Sequence, residues 1–153
     1  MARLSDIPEP TRTRWRDIPC PTFDVDPWVT GPPLSERRIA VISTAGLQRR
    51  DDRPFTFGAV DYRIVPAETP ADDLILCHVS PNFDRSAFQQ DVNVVFPLDR
   101  LRELAAAGTI GSVANYHYTF MGASDPVLMK DAALDLVAPM KQDAVDTVLL
   151  VPV

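Results

Sequence analysis

Two histidines, with the acidic, amide and arginine side chains around them, are the residues of this sequence best equipped for chemistry. His78 opens the densest polar run, His78-Val79-Ser80-Pro81-Asn82-Phe83-Asp84-Arg85-Ser86, which continues through Gln89, Gln90, Asp91 and Asn93. A histidine can move protons near neutrality. Asp84 and Asp91 could orient its ring, and Arg85 could clamp a carboxylate through two parallel hydrogen bonds. Gln90 and Asn93 add neutral hydrogen-bonding groups. His117 lies in a second cluster, Asn115-Tyr116-His117-Tyr118-Thr119-Phe120-Met121-Gly122, flanked by aromatics and followed by a glycine turn. A plainer reading stands beside each cluster: a loop held by its own side-chain hydrogen bonds, and a satisfied, partly buried histidine. His78, Asp84, Asp91 and His117 contain enough donors for a metal shell, but neither histidine sits in an HxH or HExxH pattern, so no metal is expected.

Familiar catalytic templates are missing. Ser43-Thr44-Ala45-Gly46-Leu47 follows a predicted strand but lacks the glycine spacing of a dinucleotide loop. There is no Walker loop, no C-x-x-C and no G-x-S-x-G. Cys20 and Cys77 carry neither metal-ligand spacing nor a local nucleophile signature, and Cys77 reads as a small buried hydrophobe.

Such residues need a scaffold. Residues 38–43 (RIAVIS), 73–79 (DLILCHV) and 147–151 (TVLLV) are short apolar runs rich in branched side chains, as in strands covered on both faces. Residues 61–66 form a weaker strand. In 73–79, alternation puts His78 with Leu74 and Leu76, and Cys77 on the opposite face. Residues 98–107 make an amphipathic helix with Leu98, Leu101, Leu104 and Ala105 as its apolar stripe, Asp99 as its cap and Gly108 as its stop. A second helix starts at Ser124 or Asp125, has Pro126 in its first turn, and ends or kinks at Pro139. Strands joined by short crossover helices predict an α/β domain over 34–153, built on a mainly parallel open sheet. Residues 1–33 hold seven prolines. They predict an extended arm without helix or strand, docked through Trp15, Phe23 and Trp28 on its own domain or on a partner. Because the last predicted strand ends near Val153, where an active-site loop is expected, the sheet reads as incomplete at its C-terminal end; a natural edge strand is the alternative.

The chain has 153 residues, 46% apolar and 24% charged, which suits one packed domain. A net charge of −6 argues against a nucleic-acid partner. No apolar run approaches a membrane span, and the N-terminus has no apolar signal region, so a cytoplasmic protein is the expectation.

Several strings together resemble one family. They are VISTAG (41–46), DDRPF (51–55), YRIVP (62–66), HVSPNFDRSAFQQDVNVVFPLDRLREL (78–104) and GTIGSVANYHYTFMG (108–122). From about Arg38 to Val153 the chain resembles the selenoprotein B subunits of the glycine, sarcosine, betaine and D-proline reductases, the short D-proline type most of all. The resemblance implies an oxidoreductase cleaving a C–N or C–X bond alpha to a carboxylate of a small amino acid. It implies a selenocysteine or cysteine directly after the strand that here ends at Val153, a pyruvoyl group on a partner subunit, and a thiol electron donor. On that reading Arg85, His78 and His117 hold the substrate carboxylate, Gln90 and Asn93 assist, and Asp84 and Asp91 orient them or manage protons. The rival expectation is a non-catalytic interaction module that pairs with a pyruvoyl-type partner subunit, or with another sheet, through its exposed last strand and its proline-rich arm.

Overall fold

Arg38–Ser43 (β1) is the most apolar branched run in the front half of the chain, and the fold is built around it. The computed structural model describes residues 4–19, 22, 24–80 and 84–153. In chain order the regular elements are α1 (Thr11–Arg16), β1, β2 (Leu47–Arg49), β3 (Arg63–Pro66), β4 (Leu74–Leu76), α2 (Ser86–Gln90), α3 (Leu98–Ala106), β5 (Ser112–Val113), β6 (Tyr116–Thr119), α4 (Lys130–Asp135), α5 (Val137–Gln142) and β7 (Thr147–Val151), joined in places by short 3-10 turns.

β7 runs parallel to β1 along its whole length, from Ile39↔Thr147 to Ser43↔Val151. The other edge of β1 is shared by β5 and β6, both parallel to it, and β3 closes that side antiparallel to β6. The sheet is therefore open and mainly parallel, with β7 at one edge. α3 covers one face: Leu98 and Leu101 pack with Ile39, Val41, Val65, Val95, Phe96 and Ile110. The second face is covered by α4 and α5, where Leu136, Met129, Ala132 and Met140 meet Tyr118, Phe120 and Ile42.

β5 and β6 amount to one strand with a fault in it. Arg38 pairs with Ser112, an offset of 74 residues, whereas Ile42 pairs with Tyr118, an offset of 76. Two extra residues are accommodated at 114–115. The imidazole of His117 fills the resulting gap in the ladder: Val41 N–H donates to its Nδ1 at 3.0 Å. Outside the fault, the Asp143 carboxylate accepts from Asn115 N, Asn115 Nδ2 and Tyr116 N and pairs with Arg38 at 2.6 Å. Burial alone would raise the Asp143 pKa. The hydrogen bonds from Arg38, Asn115 and Tyr116 outweigh it and hold the carboxyl below its ordinary range.

The predicted α3 is found, with Gly108 at φ +69 just past its end. Asp99, however, is not its cap. Asp99 lies in the first turn, and its N–H is taken by Asn93 Oδ1 at 3.1 Å. Asp125 does begin the later helical segment, accepting from Val127 N. The helix breaks between α4 and α5 at Leu136, three residues before Pro139, because proline cannot supply the N–H that would bond back across that turn.

Other expectations are corrected. Residues 73–79 do not join the parallel sheet. Only Leu74–Leu76 is strand, and it pairs antiparallel with β2 in a separate two-stranded ribbon. The arm is not wholly extended, since the proline-free stretch after Pro10 winds into α1. Trp28 does not dock on its own domain; it is 87% exposed. Cys20, Phe23 and the Trp15 side chain lie outside what the structure describes.

Candidate functional site

In an open parallel sheet, ligands gather at the carboxyl ends of the strands, where loops diverge and backbone groups are left unpaired. Here that edge is formed by the residues after β1, β6 and β7, which are tied to one another. Thr44 N donates to Val151 O at 3.1 Å, Gly122 N to Thr44 O at 2.8 Å, and Gly46 N to Phe120 O at 2.9 Å. Val153 N donates to Thr44 Oγ1 at 2.8 Å.

Gly46 brings the histidine loop to this edge. It has φ +65, and its carbonyl accepts from Cys77 N at 2.9 Å. A Cβ there would stand 3.2 Å from the backbone of His78 and 3.0 Å from Met121. The missing side chain thus lets residues 77–78 lie against the end of β1. His78 is 5% exposed. Its Nδ1 accepts from Ser80 N at 3.2 Å, so the neutral ring carries its proton on Nε2. Burial, and then the positive charge of Arg85, hold its pKa below the ordinary histidine value. Near neutrality this imidazole is an uncharged donor.

Arg85 is half-buried, and its Nη2 reaches the carbonyls of His78 and Ser80. It closes the loop and keeps positive charge beside His78. Asp84 is exposed and accepts at 2.9 Å from the N–H of Ser86, the first residue of α2; that bond lowers its pKa. Pro81, Asn82 and Phe83 lie outside the described residues.

The remaining expected site residues are elsewhere in the hydrogen-bond pattern. Asp91 accepts from Asn93 N and Nδ2, which lowers its pKa, and Asn93 in turn contacts Asp99, which pairs with Arg102. This network braces the start of α3. Gln90, at the end of α2, lines a surface depression with Arg50, Asp72, Asp91 and Asn93. His117 is 0% exposed and stacks edge-on with Phe96 at 5.8 Å. Its Nε2 is buried without a hydrogen-bond partner among the described residues. Burial lowers its pKa to about 4, so it is neutral at physiological pH. The structure therefore brings His78 and Arg85 together, leaves Asp84 exposed next to Arg85 and bonded to the first residue of α2, and assigns Asp91, Asn93 and His117 to separate bonding networks. Among the described residues, no group of three or more His, Cys, Asp or Glu could hold a metal ion. Among them too, no helix is long and apolar enough to cross a membrane.

Thr44, Gly46 and Gly122, which build this edge, were not singled out as site residues by the sequence. The signal was present in the failed dinucleotide stretch Ser43–Leu47: a small-residue turn directly after the central strand.

Comparison with known proteins decides the family. A family profile for glycine/sarcosine/betaine reductase selenoprotein B matches residues 16–153. The chain belongs to that family. As a selenoprotein B family member it is 27% identical over 120 residues to D-proline reductase subunit gamma of Acetoanaerobium sticklandii, a match covering 76% of this chain and 49% of that protein. It is 31% identical over 118 residues to the sarcosine reductase complex component B subunit beta of Peptoclostridium acidaminophilum, covering 72% of this chain and 27% of the relative. The corresponding betaine reductase subunit of that organism is 30% identical over 122 residues, covering 76% and 28%. The chain thus spans about half the length of the first relative and about a quarter of the other two. No solved structure matches at a significant level. The family match starts at Arg16 and so extends into the proline-rich arm, beyond the stretch whose motifs carried the resemblance.

Proposed function

We propose that this chain forms the front part of the redox subunit of a reductase that cleaves a C–N or C–X bond alpha to the carboxylate of a small amino acid, such as D-proline or a glycine derivative. The observation that carries the reading is the position of Val153. β7 delivers it to the carboxyl edge of the sheet, where Thr44 holds its N–H at 2.8 Å, and Gly46, two residues on, seats His78. Family membership and the D-proline reductase relative support the reaction class.

A selenocysteine or cysteine following Val153 would supply a chalcogen anion that displaces the amine from the α carbon, the C–N electron pair leaving with nitrogen. A donor thiol would then attack the chalcogen, the bond to carbon breaking with its electron pair going to carbon, which takes a proton. A second thiol would release the chalcogen anion as the donor becomes a disulfide. The residues present suit such a group, because the backbone that leads to it is tied to β1 and β6 instead of fraying. His78 would offer a neutral N–H to the substrate, and the positive charge of Arg85 would favour a carboxylate close by. His117, Asp91 and Asn93 would hold the framework. A pyruvoyl-carrying subunit is the proposed partner, since activation of the amine as a leaving group needs an electrophile that this chain's side chains do not offer.

The test begins with the coding triplet after Val153. A UGA or cysteine codon followed by an open frame supports the reading. The whole product, expressed with its neighbouring subunit, should then oxidise a dithiol only when D-proline or an N-substituted glycine is present. A UAA or UAG stop there overturns it. One observation favours a second reading, a module that pairs with another sheet: Leu150 at the edge is 68% exposed, with Val148 and Leu149 also exposed. Under that reading the same stop codon is the expected result.

A further inference from the structure

The parallel pairing of β1 with β7 ends at Ser43↔Val151, yet the two chains stay locked for two more residues. The lock is a side chain. Thr44 Oγ1 accepts from Val153 N at 2.8 Å and lies 3.3 Å from Val153 O, to which it donates. One hydroxyl thus satisfies both backbone groups of a residue that has run past its partner strand. On its other side, Thr44 O accepts from Gly122 N at 2.8 Å. The three backbones meet so closely that a Cβ on Gly122 would stand 2.5 Å from Val153 O and 2.7 Å from Thr44 O. Neither contact is a flexible side-chain end, so neither can give way.

Strand ends fray. An edge strand with exposed Val148, Leu149 and Leu150 would fray readily without such a tie. Threonine suits the task. Its hydroxyl donates and accepts at once, and its branched Cβ restricts χ1, so little freedom is lost when the tie forms.

We propose that Thr44 is the positioning residue for the redox residue, fixing the peptide from which that residue springs, and that Gly122 is the notch that admits this peptide. The inference rests on the reading that a selenocysteine or cysteine follows Val153. Attack on a carbon requires reacting atoms held to a fraction of an ångström, and Thr44 supplies that restraint without touching substrate.

The experiment compares Thr44→Ser, Thr44→Val and Thr44→Ala in the whole gene product; the alanine variant removes the hydroxyl without placing a new methyl group where it stood. Three quantities are read: hydrogen exchange at the Val153 amide, the pH profile of iodoacetamide alkylation with the labelled residue mapped by mass spectrometry, and kcat against KM. Loss of the hydroxyl should speed exchange at Val153 by about 2- to 10-fold, the loss expected for one hydrogen bond from a backbone N–H to a side chain. It should shift the alkylation profile and lower kcat by about 10–100-fold with KM nearly unchanged, the effect of misplacing a reacting group by about 1 Å. Thr44→Ser should restore most of each. Unaltered Val153 exchange in a folded Thr44→Ala protein overturns the inference, as does faster exchange with unchanged alkylation and kcat. Absence of label on the residue after Val153 in the parent protein sinks the underlying reading first, and this inference with it.

Discussion

His117 offers the sharpest test of how this domain is held together. Its ring occupies a place in the β1 ladder that a backbone carbonyl would normally fill, and Val41, whose N–H it accepts, is wholly buried. Protonation would turn Nδ1 from acceptor to donor, and the ladder would lose that bond. Burial already sets the histidine pKa at about 4 against an ordinary 6.5. At about 1.4 kcal/mol per unit, the native protein resists that proton by roughly 3 kcal/mol. The unfolded chain takes it up as pH falls through 6.5, whereas the native chain does so only near pH 4. Stability is therefore unaffected by this group above the ordinary value and declines steadily across the window below it. His117→Asn tests the argument, because its amide oxygen can accept from Val41 N–H and cannot titrate. In urea unfolding followed by circular dichroism at about pH 7 and about pH 4.5, the parent should lose roughly 2–3 kcal/mol more than the variant between the two conditions. Comparing the two proteins cancels the carboxylates that titrate in both. His117→Phe should also lower stability at neutral pH by roughly 1–3 kcal/mol, because it leaves a buried N–H unpaired. Equal acid losses in parent and His117→Asn would refute the claim that this imidazole is a neutral ladder acceptor.

Two further outcomes follow from the same structure. Arg85→Ala should raise the pKa of His78 toward 6.5, since it removes one of the two causes that depress it and loosens the loop responsible for the other; a titration of the His78 ring signals by NMR that moves downward or not at all would contradict this. Asp143→Asn should cost roughly 3 kcal/mol in denaturant unfolding at neutral pH, because Arg38 then loses its carboxylate in a half-buried setting. The parent's contribution from Asp143 is present above the ordinary carboxylate value and is lost as pH falls through the depressed native one, so the gap between the two proteins should close in acid.

Much of the frame could be read locally. β1 and β7 read as strands from their apolar branched runs, though only β1 is covered on both faces while Val148, Leu149 and Leu150 of β7 are exposed. α3 shows its stripe and its glycine stop, and Asp125, Pro126 and Pro139 mark where the later helices begin and break. The family was legible too, in the strings from Val41 to Gly122. The site was legible only in part. His78 and Arg85 do share a loop, but neighbours in sequence such as Asp91 and Asn93 turn away to brace a helix, because Asp and Asn side chains readily satisfy nearby backbone N–H groups.

What the sequence determined alone was therefore the kind of element formed by the longest patterned stretches, β1, β7, α3 and the helical segment after Asp125, and the family to which they belong, since propensity, periodicity and turn chemistry act over a few residues. Tertiary structure alone decided that Leu74–Leu76 pairs with Leu47–Arg49 outside the main sheet, that a two-residue fault splits β5 from β6, that His117 closes it, and that Thr44 ties Val153. These are contacts between residues far apart in the chain. A side chain that replaces a ladder bond leaves no periodic trace, and its role exists only once two distant backbones have been brought to hydrogen-bonding distance.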